Sequence, residues 1–268
     1  MGGLWQLNSL LGPFDLSLNS ISTSLIAYMN NLYKVLVLFC VLFGDLQPAF
    51  SNDRVYIYTE HYPPYNMFDV DGKTIIGKST AIVRQIFQQA QIDYVMALAP
   101  WARSLKTAQL NANTAVFSTA RTPEREEHFY WIGPLITNKW IFMGRKEDNL
   151  TLNAVADIKP FLLGTYRSDI SYKFLTDRGF DVQVTSLDDQ NAVKLSRGRI
   201  DLWSTGVHLG PYLAKEKKVG GLEVIKNTKG EPFVFIEVGM YLALNKKTPE
   251  AIYQRLNNTF ENLKNNAN

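Results

Sequence analysis

At 268 residues, 46% hydrophobic and 20% charged, the chain has enough apolar material for one or two cores and no composition that would leave it disordered. Its formal charge of +3 is spread without a dense Lys/Arg run, which argues against a nucleic-acid groove and is compatible with an anionic ligand.

Near the N-terminus, Lys34 is followed by nine apolar residues, 35–43, then Gly44, Pro48 and the small-residue pattern Ala49-Phe50-Ser51. This reads as the hydrophobic stretch and cleavage site of a secretory leader, since a membrane span needs about 20 apolar residues. Residues 1–28 do not resemble the start of a leader, so the expectation is a signal peptide over about 29–51 that begins at Met29. Cleavage before Asn52 would remove Cys40, the one cysteine, which suits an oxidising compartment such as the periplasm. Phe39 beside that cysteine argues against a lipid anchor.

From Asn52 onward, strand and helix alternate. Residues 55–59 read as a strand running into Tyr62-Pro63-Pro64-Tyr65, where two prolines force a rigid turn that presents aromatic rings. Asp71-Gly72 marks a hairpin turn, and Ser79 is placed to cap a helix over 80–90. A strand over 93–98 precedes a helix opened by Pro100-Trp101, and 114–117 is a third strand. That strand breaks into the hydroxyls Ser118, Thr119 and Thr122. Arg121 and Arg125 follow, and Pro123 keeps both out of a helix interior. Loops at strand ends are where ligands are met, and a guanidinium offers a planar fork to a carboxylate.

A crossing segment at 139–144 leads into a second α/β series, with strands over 161–165, 181–185, 199–203 and 222–225 and helices over 168–178, 187–196 and 212–218. Residues 238–244 read as a strand returning to the first lobe. A terminal helix then begins at Pro249, with Ile252, Leu256, Phe260 and Leu263 on one face. The expected organisation is a leader over 1–51, lobe one over 52–142 with 239–268, and lobe two over 143–238. Two crossings between the lobes make a hinge.

The three histidines, His61, His128 and His208, are not at metal-ligand spacing, and no phosphate-loop, dinucleotide or nucleophile-elbow pattern occurs. Asp188-Asp189 sits beside a predicted helix start, where carboxylates cap. No cofactor is called for, and the evidence for an enzyme is thin.

The order and spacing of Tyr62-Pro63-Pro64-Tyr65, Asp71-Gly72 with Gly77, Pro100-Trp101, Thr122-Pro123-Glu124-Arg125 and Phe129-Tyr130-Trp131-Ile132-Gly133-Pro134 resemble the periplasmic solute-binding proteins of amino-acid-type ABC transporters, extracellular solute-binding family 3. The resemblance covers 52–268 and implies a two-lobed type II periplasmic binding fold, each lobe a mostly parallel sheet flanked by helices. It also implies a small carboxylate-bearing ligand held between closing lobes, a membrane permease as partner, and a monomer.

Residue by residue, the resemblance implies that Arg125 grips the ligand's carboxylate and that Ser118 and Ala120 add contacts at the strand end, beside Thr122. Tyr65 and Trp101 would set rings against the ligand. Arg167, Ser168 and Asp169 form a strand-to-helix turn suited to an anion. Arg121 is outside the common pattern and either supplies a second cation or pairs with Glu124 or Glu127. The family's amine-binding aspartate is expected where Gly206 stands, which leaves Asp169, Glu60 or Glu237 to replace it. Two other readings stay open: a periplasmic dehydratase of the prephenate type with Glu60 or Glu237 as general acid, and a ligand-sensing subunit for a membrane receptor.

Overall fold

The computed structural model describes residues 54–267, together with 28–29 and 32–34, which are helical. The cleavage site and most of the expected leader lie outside the described residues. Among the described residues no helix is long and apolar enough to cross a membrane. Residues 52–268 form one compact unit.

In the first half of that unit, β1 (Val55–Thr59), a small hairpin of β2 (Met67–Phe68) and β3 (Ile75–Ile76), α1 (Lys78–Gln89), β4 (Tyr94–Leu98), α2 (Trp101–Leu110), β5 (Thr114–Ala120) and the single turn α3 (Pro123–Glu126) follow in order. The long strand β6 (Phe129–Arg145) leads into β7 (Leu163–Tyr166), α4 (Ile170–Thr176), β8 (Val182–Thr185), α5 (Asp189–Ser196), β9 (Leu202–Gly206), α6 (Leu209–Glu216) and β10 (Leu222–Val224). The second long strand, β11 (Val234–Asn245), returns the chain to the first half, where α7 (Glu250–Ala267) closes it.

Among the described residues, nine strands join in one sheet, ordered β4-β1-β5-β11-β6-β9-β7-β8, with β10 on β6. Pairing is parallel within β4-β1-β5 and within β9-β7-β8, as crossover helices require. It is antiparallel where β11 and β6 join the halves. β6 pairs with β11 along most of its length and continues onto β9, so the expected crossing at 139–144 is the far end of one unbroken strand.

The first half is closed by α7, whose Ile252, Leu256 and Phe260 are buried against Phe87, Phe117 and Leu242, as their helical spacing requires. Each such side chain contributes about 1.5–3 kcal/mol by leaving water. A second core under β7 and β9 gathers Phe142, Ile158, Leu163, Leu175 and Leu202.

Two local expectations are corrected. Ser79 does not cap α1: the N-cap is Gly77, and the Ser79 hydroxyl is buried without a partner. The first amides of α1 are met instead by backbone, with Ser79 N donating to the Tyr65 carbonyl at 3.0 Å and Lys78 N to that of Pro64 at 3.2 Å. Gly77 makes this possible, because its φ is +126° and a Cβ there would lie 2.3 Å from the Tyr65 oxygen. The aromatic turn is thereby clamped onto a helix N-terminus. Nor does the Asp188 side chain cap α5; it is buried and bonded elsewhere.

Candidate functional site

The seam between the halves is built around Arg125. The turn α3, started by Pro123, swings its side chain inward until it is 8% exposed. Nη1 donates to the Ala120 carbonyl at the end of β5 (2.8 Å), and Nη2 to the Ser168 carbonyl across the seam (3.0 Å). The guanidinium carbon lies 5.4 Å from the Trp101 ring centroid, and Trp101 Nε1 donates to the same Ser168 oxygen at 2.9 Å. Ser168 has φ +64°, a left-handed turn between β7 and α4. Two donors of one half therefore converge on a single oxygen of the other.

Acids surround this cation. Asp169 caps α4, accepting from Ser171 N at 2.8 Å and from the Ser171 hydroxyl. Across the seam, Tyr166 donates its hydroxyl to Glu60 Oε1 at 3.1 Å. Burial, then the charge of Asp169, pushes the Glu60 carboxyl well above its usual range, against the Tyr166 bond that lowers it. Burial also raises Asp169, opposed chiefly by the Ser171 bonds. Burial lowers Arg125, opposed first by Asp169. Asp188 is pushed up to about 7 by burial, although Trp203 Nε1 (2.7 Å), Thr205 Oγ1 (2.8 Å) and Asn191 Nδ2 (3.2 Å) all donate to it.

Rings fill the seam's centre. Tyr62, Trp101, Trp140, Tyr166 and Met240 close around Arg125, Glu60 and Asp169 and leave a cavity of about 10 Å³, the space of one water. A larger cavity of about 270 Å³ opens on one flank and shares Glu60, Trp101 and Tyr166 with the centre. On the other flank a groove of about 560 Å³ runs past Thr122, Arg125 and Ser168, where Lys173 and Glu124 pair across it at 3.3 Å.

The expected site residues are brought together only in part. Trp101, Ser118, Ala120, Arg125 and Asp169 line the central cavity, Ser168 meets it through its carbonyl, and Thr122 lies on the outer groove. Ser118 donates its hydroxyl to Asn66 Oδ1 at 2.5 Å. Arg121 turns away, its side chain half exposed, with Nε 2.6 Å from Glu126 Oε1, so its partner is Glu126 rather than Glu124 or Glu127. Arg167 is exposed and engages through its amide on the Thr185 carbonyl. Tyr65 lines neither seam cavity; it is buried against Tyr62 and His208. The ring that reaches the centre is Tyr62, in the same turn. Glu237 pairs with Lys139 at 3.5 Å on the surface, so of the three acids expected to replace the missing aspartate, Glu60 and Asp169 line the central cavity.

Gly206 has a spatial explanation. A Cβ there would lie 2.3 Å from the Tyr62 hydroxyl, which also accepts from Asn138 Nδ2 at 2.7 Å. The tyrosine occupies the space a side chain at 206 would need. Gly206→Ala should therefore destabilise the fold by about 1–3 kcal/mol through overpacking. Urea unfolding of the variant, alone and combined with Tyr62→Leu, checks this: the larger hole should recover most of the loss, and no loss in the single variant would contradict the contact.

Residues 55–268 match the family model for bacterial extracellular solute-binding proteins, family 3. The chain belongs to that family. Its fold recurs in solved structures of low sequence identity. A histidine kinase sensor domain with similarity to periplasmic binding proteins shares 16% identity at TM-score 0.70, covering 80% of this chain and 91% of that one. An ancestral arginine-binding protein bound to arginine shares 17% at TM-score 0.67, covering 80% and 94%. An amino acid ABC transporter substrate-binding protein from Streptococcus pneumoniae bound to L-arginine shares 16% at TM-score 0.68, covering 81% and 91%. The comparison with curated proteins gives no match. β6 and β11 pair antiparallel in the middle of the sheet and join the two halves that meet at this seam.

Proposed function

We propose that this protein captures a small amino-acid-type solute between its lobes in the periplasm and hands it, unchanged, to a membrane permease. Arg125 Nη2 and Trp101 Nε1 carry this reading, because both belong to one lobe and both point at one oxygen of the other. When the lobes part, the two donors are released together, and a carboxylate can take the place of the Ser168 carbonyl. Glu60 and Asp169 are raised by burial, and a ligand ammonium in the same small space would draw them back to their charged forms, so the site matches the two ends of a zwitterion. A ligand that touches both lobes stabilises the closed form by its differential contacts.

A thermal-shift screen of the exported protein against amino acids, amine-free carboxylic acids and polyamines tests the reading. A ligand at about 100 times its Kd adds roughly 2.7 kcal/mol, which a melting curve resolves. A strong shift with an amino acid is the expected result, while shifts confined to amine-free acids would remove ammonium recognition. No shift at all would overturn capture of this class of solute.

A dehydratase on the same scaffold is the second reading. It draws on Glu60, a carboxyl held towards its protonated form by burial and hydrogen-bonded to Tyr166. Recovery of the bound solute unaltered after prolonged incubation separates capture from turnover.

A further inference from the structure

Two neighbouring side chains of the segment after β1, Glu60 and His61, reach across the seam to the other lobe. Glu60 accepts the Tyr166 hydroxyl at 3.1 Å, and His61 sets Nε2 3.7 Å from Glu216 Oε2 at the end of α6. His61 Nε2 is buried without a hydrogen-bond partner, and its ring lies 6.0 Å from that of Tyr212, also in α6. A neutral imidazole leaves that nitrogen unused, whereas an imidazolium supplies a charged donor to the facing carboxylate.

The surroundings favour a proton at both places. Asp169 at the cap of α4 and Asp188 just before α5 act on Glu60 with like charge, beside the neutral hydroxyls of Tyr62 and Tyr166, and Arg125 from α3 opposes them. The cavities on either side of His61 add Asp69 from the β2–β3 hairpin, Asp189 in α5, and Lys217 after α6, which sits 2.7 Å from Asp189. Six acids, Glu60, Asp69, Asp169, Asp188, Asp189 and Glu216, thus share the acid-lined cavity and its neighbours with two permanent cations, Arg125 and Lys217. Burial, then the charge of Asp169, already holds the Glu60 carboxyl well above its usual range. Parting the lobes would return Glu60 and His61 to water. Asp188, by contrast, would keep its donors Trp203, Thr205 and Asn191, which belong to its own lobe.

We propose that closure of the empty lobes takes up protons, at Glu60 in the centre of the seam and at His61 beside it, so that acid closes the cleft and alkali opens it. The inference rests on the capture reading only for the premise that the lobes part. An acid raised in the closed form favours closure at low pH, and that contribution is lost as pH rises through its raised value. A histidine that meets a carboxylate on closing acts in the same direction, over the range of about pH 5 to 8 in which imidazoles change charge.

Energy transfer between dyes on two introduced cysteines, at the exposed Lys229 of the second lobe and the exposed Glu261 of α7 in the first, reads the interlobe distance of the ligand-free exported protein. From pH 8.5 to pH 5.5 the closed-to-open ratio should rise at least about tenfold, the equivalent of one unit of coupled shift. Glu60→Gln mimics the protonated acid and still accepts from Tyr166, so it should keep only the His61 part of the response. His61→Gln and Glu216→Gln should each keep only the Glu60 part. Glu60→Gln combined with His61→Gln should lose most of it. A ratio unchanged with pH in the wild type, or a full response in the double variant, overturns the inference. Because the measurement uses no ligand, that failure leaves capture standing, while an empty solute screen removes capture without touching the pH response.

Discussion

Arg125→Ala is expected to weaken ligand binding ten- to a hundredfold, about 1.5–3 kcal/mol, the worth of a charge-assisted hydrogen bond made by a desolvated guanidinium. The site is sensitive because the side chain is buried and engages backbone on both sides of the seam, the Ala120 carbonyl in one lobe and that of Ser168 in the other. Removing it also leaves these two acceptors short of a donor and takes the one cation away from Glu60 and Asp169, both already raised by burial. The variant should therefore lose stability as well as affinity. Arg125→Lys should not restore either property, since an ammonium is a point donor where the fork bonds at 2.8 and 3.0 Å in two directions. Calorimetry with the ligand found by screening reads the affinity, and urea unfolding reads the stability. Unchanged affinity in Arg125→Ala would place the carboxylate elsewhere.

The second large effect is a pH dependence centred on Asp188. Its carboxyl is pushed from a usual 3.8 up to about 7 by burial. Of its three partners, Trp203 Nε1 and the Asn191 amide can only donate, whereas the Thr205 hydroxyl can also accept, so the bound proton resides on Oδ2, facing Thr205. The folded-state value lies above the unfolded one. Between about pH 4 and 7 the folded protein thus holds a proton that the unfolded chain has released, and stability falls as pH rises through this window. The contribution is fully present below about pH 4 and lost above about pH 7. At about 1.4 kcal/mol per unit, the change is roughly 4 kcal/mol.

Asp188→Asn mimics the protonated carboxyl, with its amide donating to Thr205, and does not titrate. The stability of the wild type relative to this variant should therefore decline from pH 5 to pH 8. Glu60 and Asp169 titrate in both proteins and cancel to first order in the difference. Urea unfolding of the pair at four pH values measures it, and a difference flat with pH would mean that the three donors keep Asp188 ionised throughout.

Much of the architecture was legible in the chain. Alternating apolar runs and helical spacings announced two α/β series, and Ile252, Leu256 and Phe260 marked the buried face of α7 before any packing was known. The Thr122-Pro123-Glu124-Arg125 spacing pointed to the seam. These features are local: periodicity and proline geometry act over a few residues, so a linear reading captures them.

What a linear reading left open were choices between near neighbours. Arg121 and Arg125 flank the same proline, yet the single turn of α3 sends one outward to Glu126 and the other under Trp101. Tyr62 and Tyr65 bracket the same Pro63-Pro64 pair, and Tyr62 reaches the centre because Gly206, over a hundred residues away, leaves room for its hydroxyl. The acid-lined cavity was not legible as a unit: the sequence offers Glu60 as a candidate acid of the ligand site and Asp188 and Asp189 as caps, and Glu216 carries no signal, because the four are scattered along the chain. Sequence by itself determined the elements, their order and the arginine-bearing turn, because these follow from local backbone preference and hydrophobic period. Only the tertiary structure decided which side chains share the seam, because that depends on how closely distant segments pack and which of them bury their charge together.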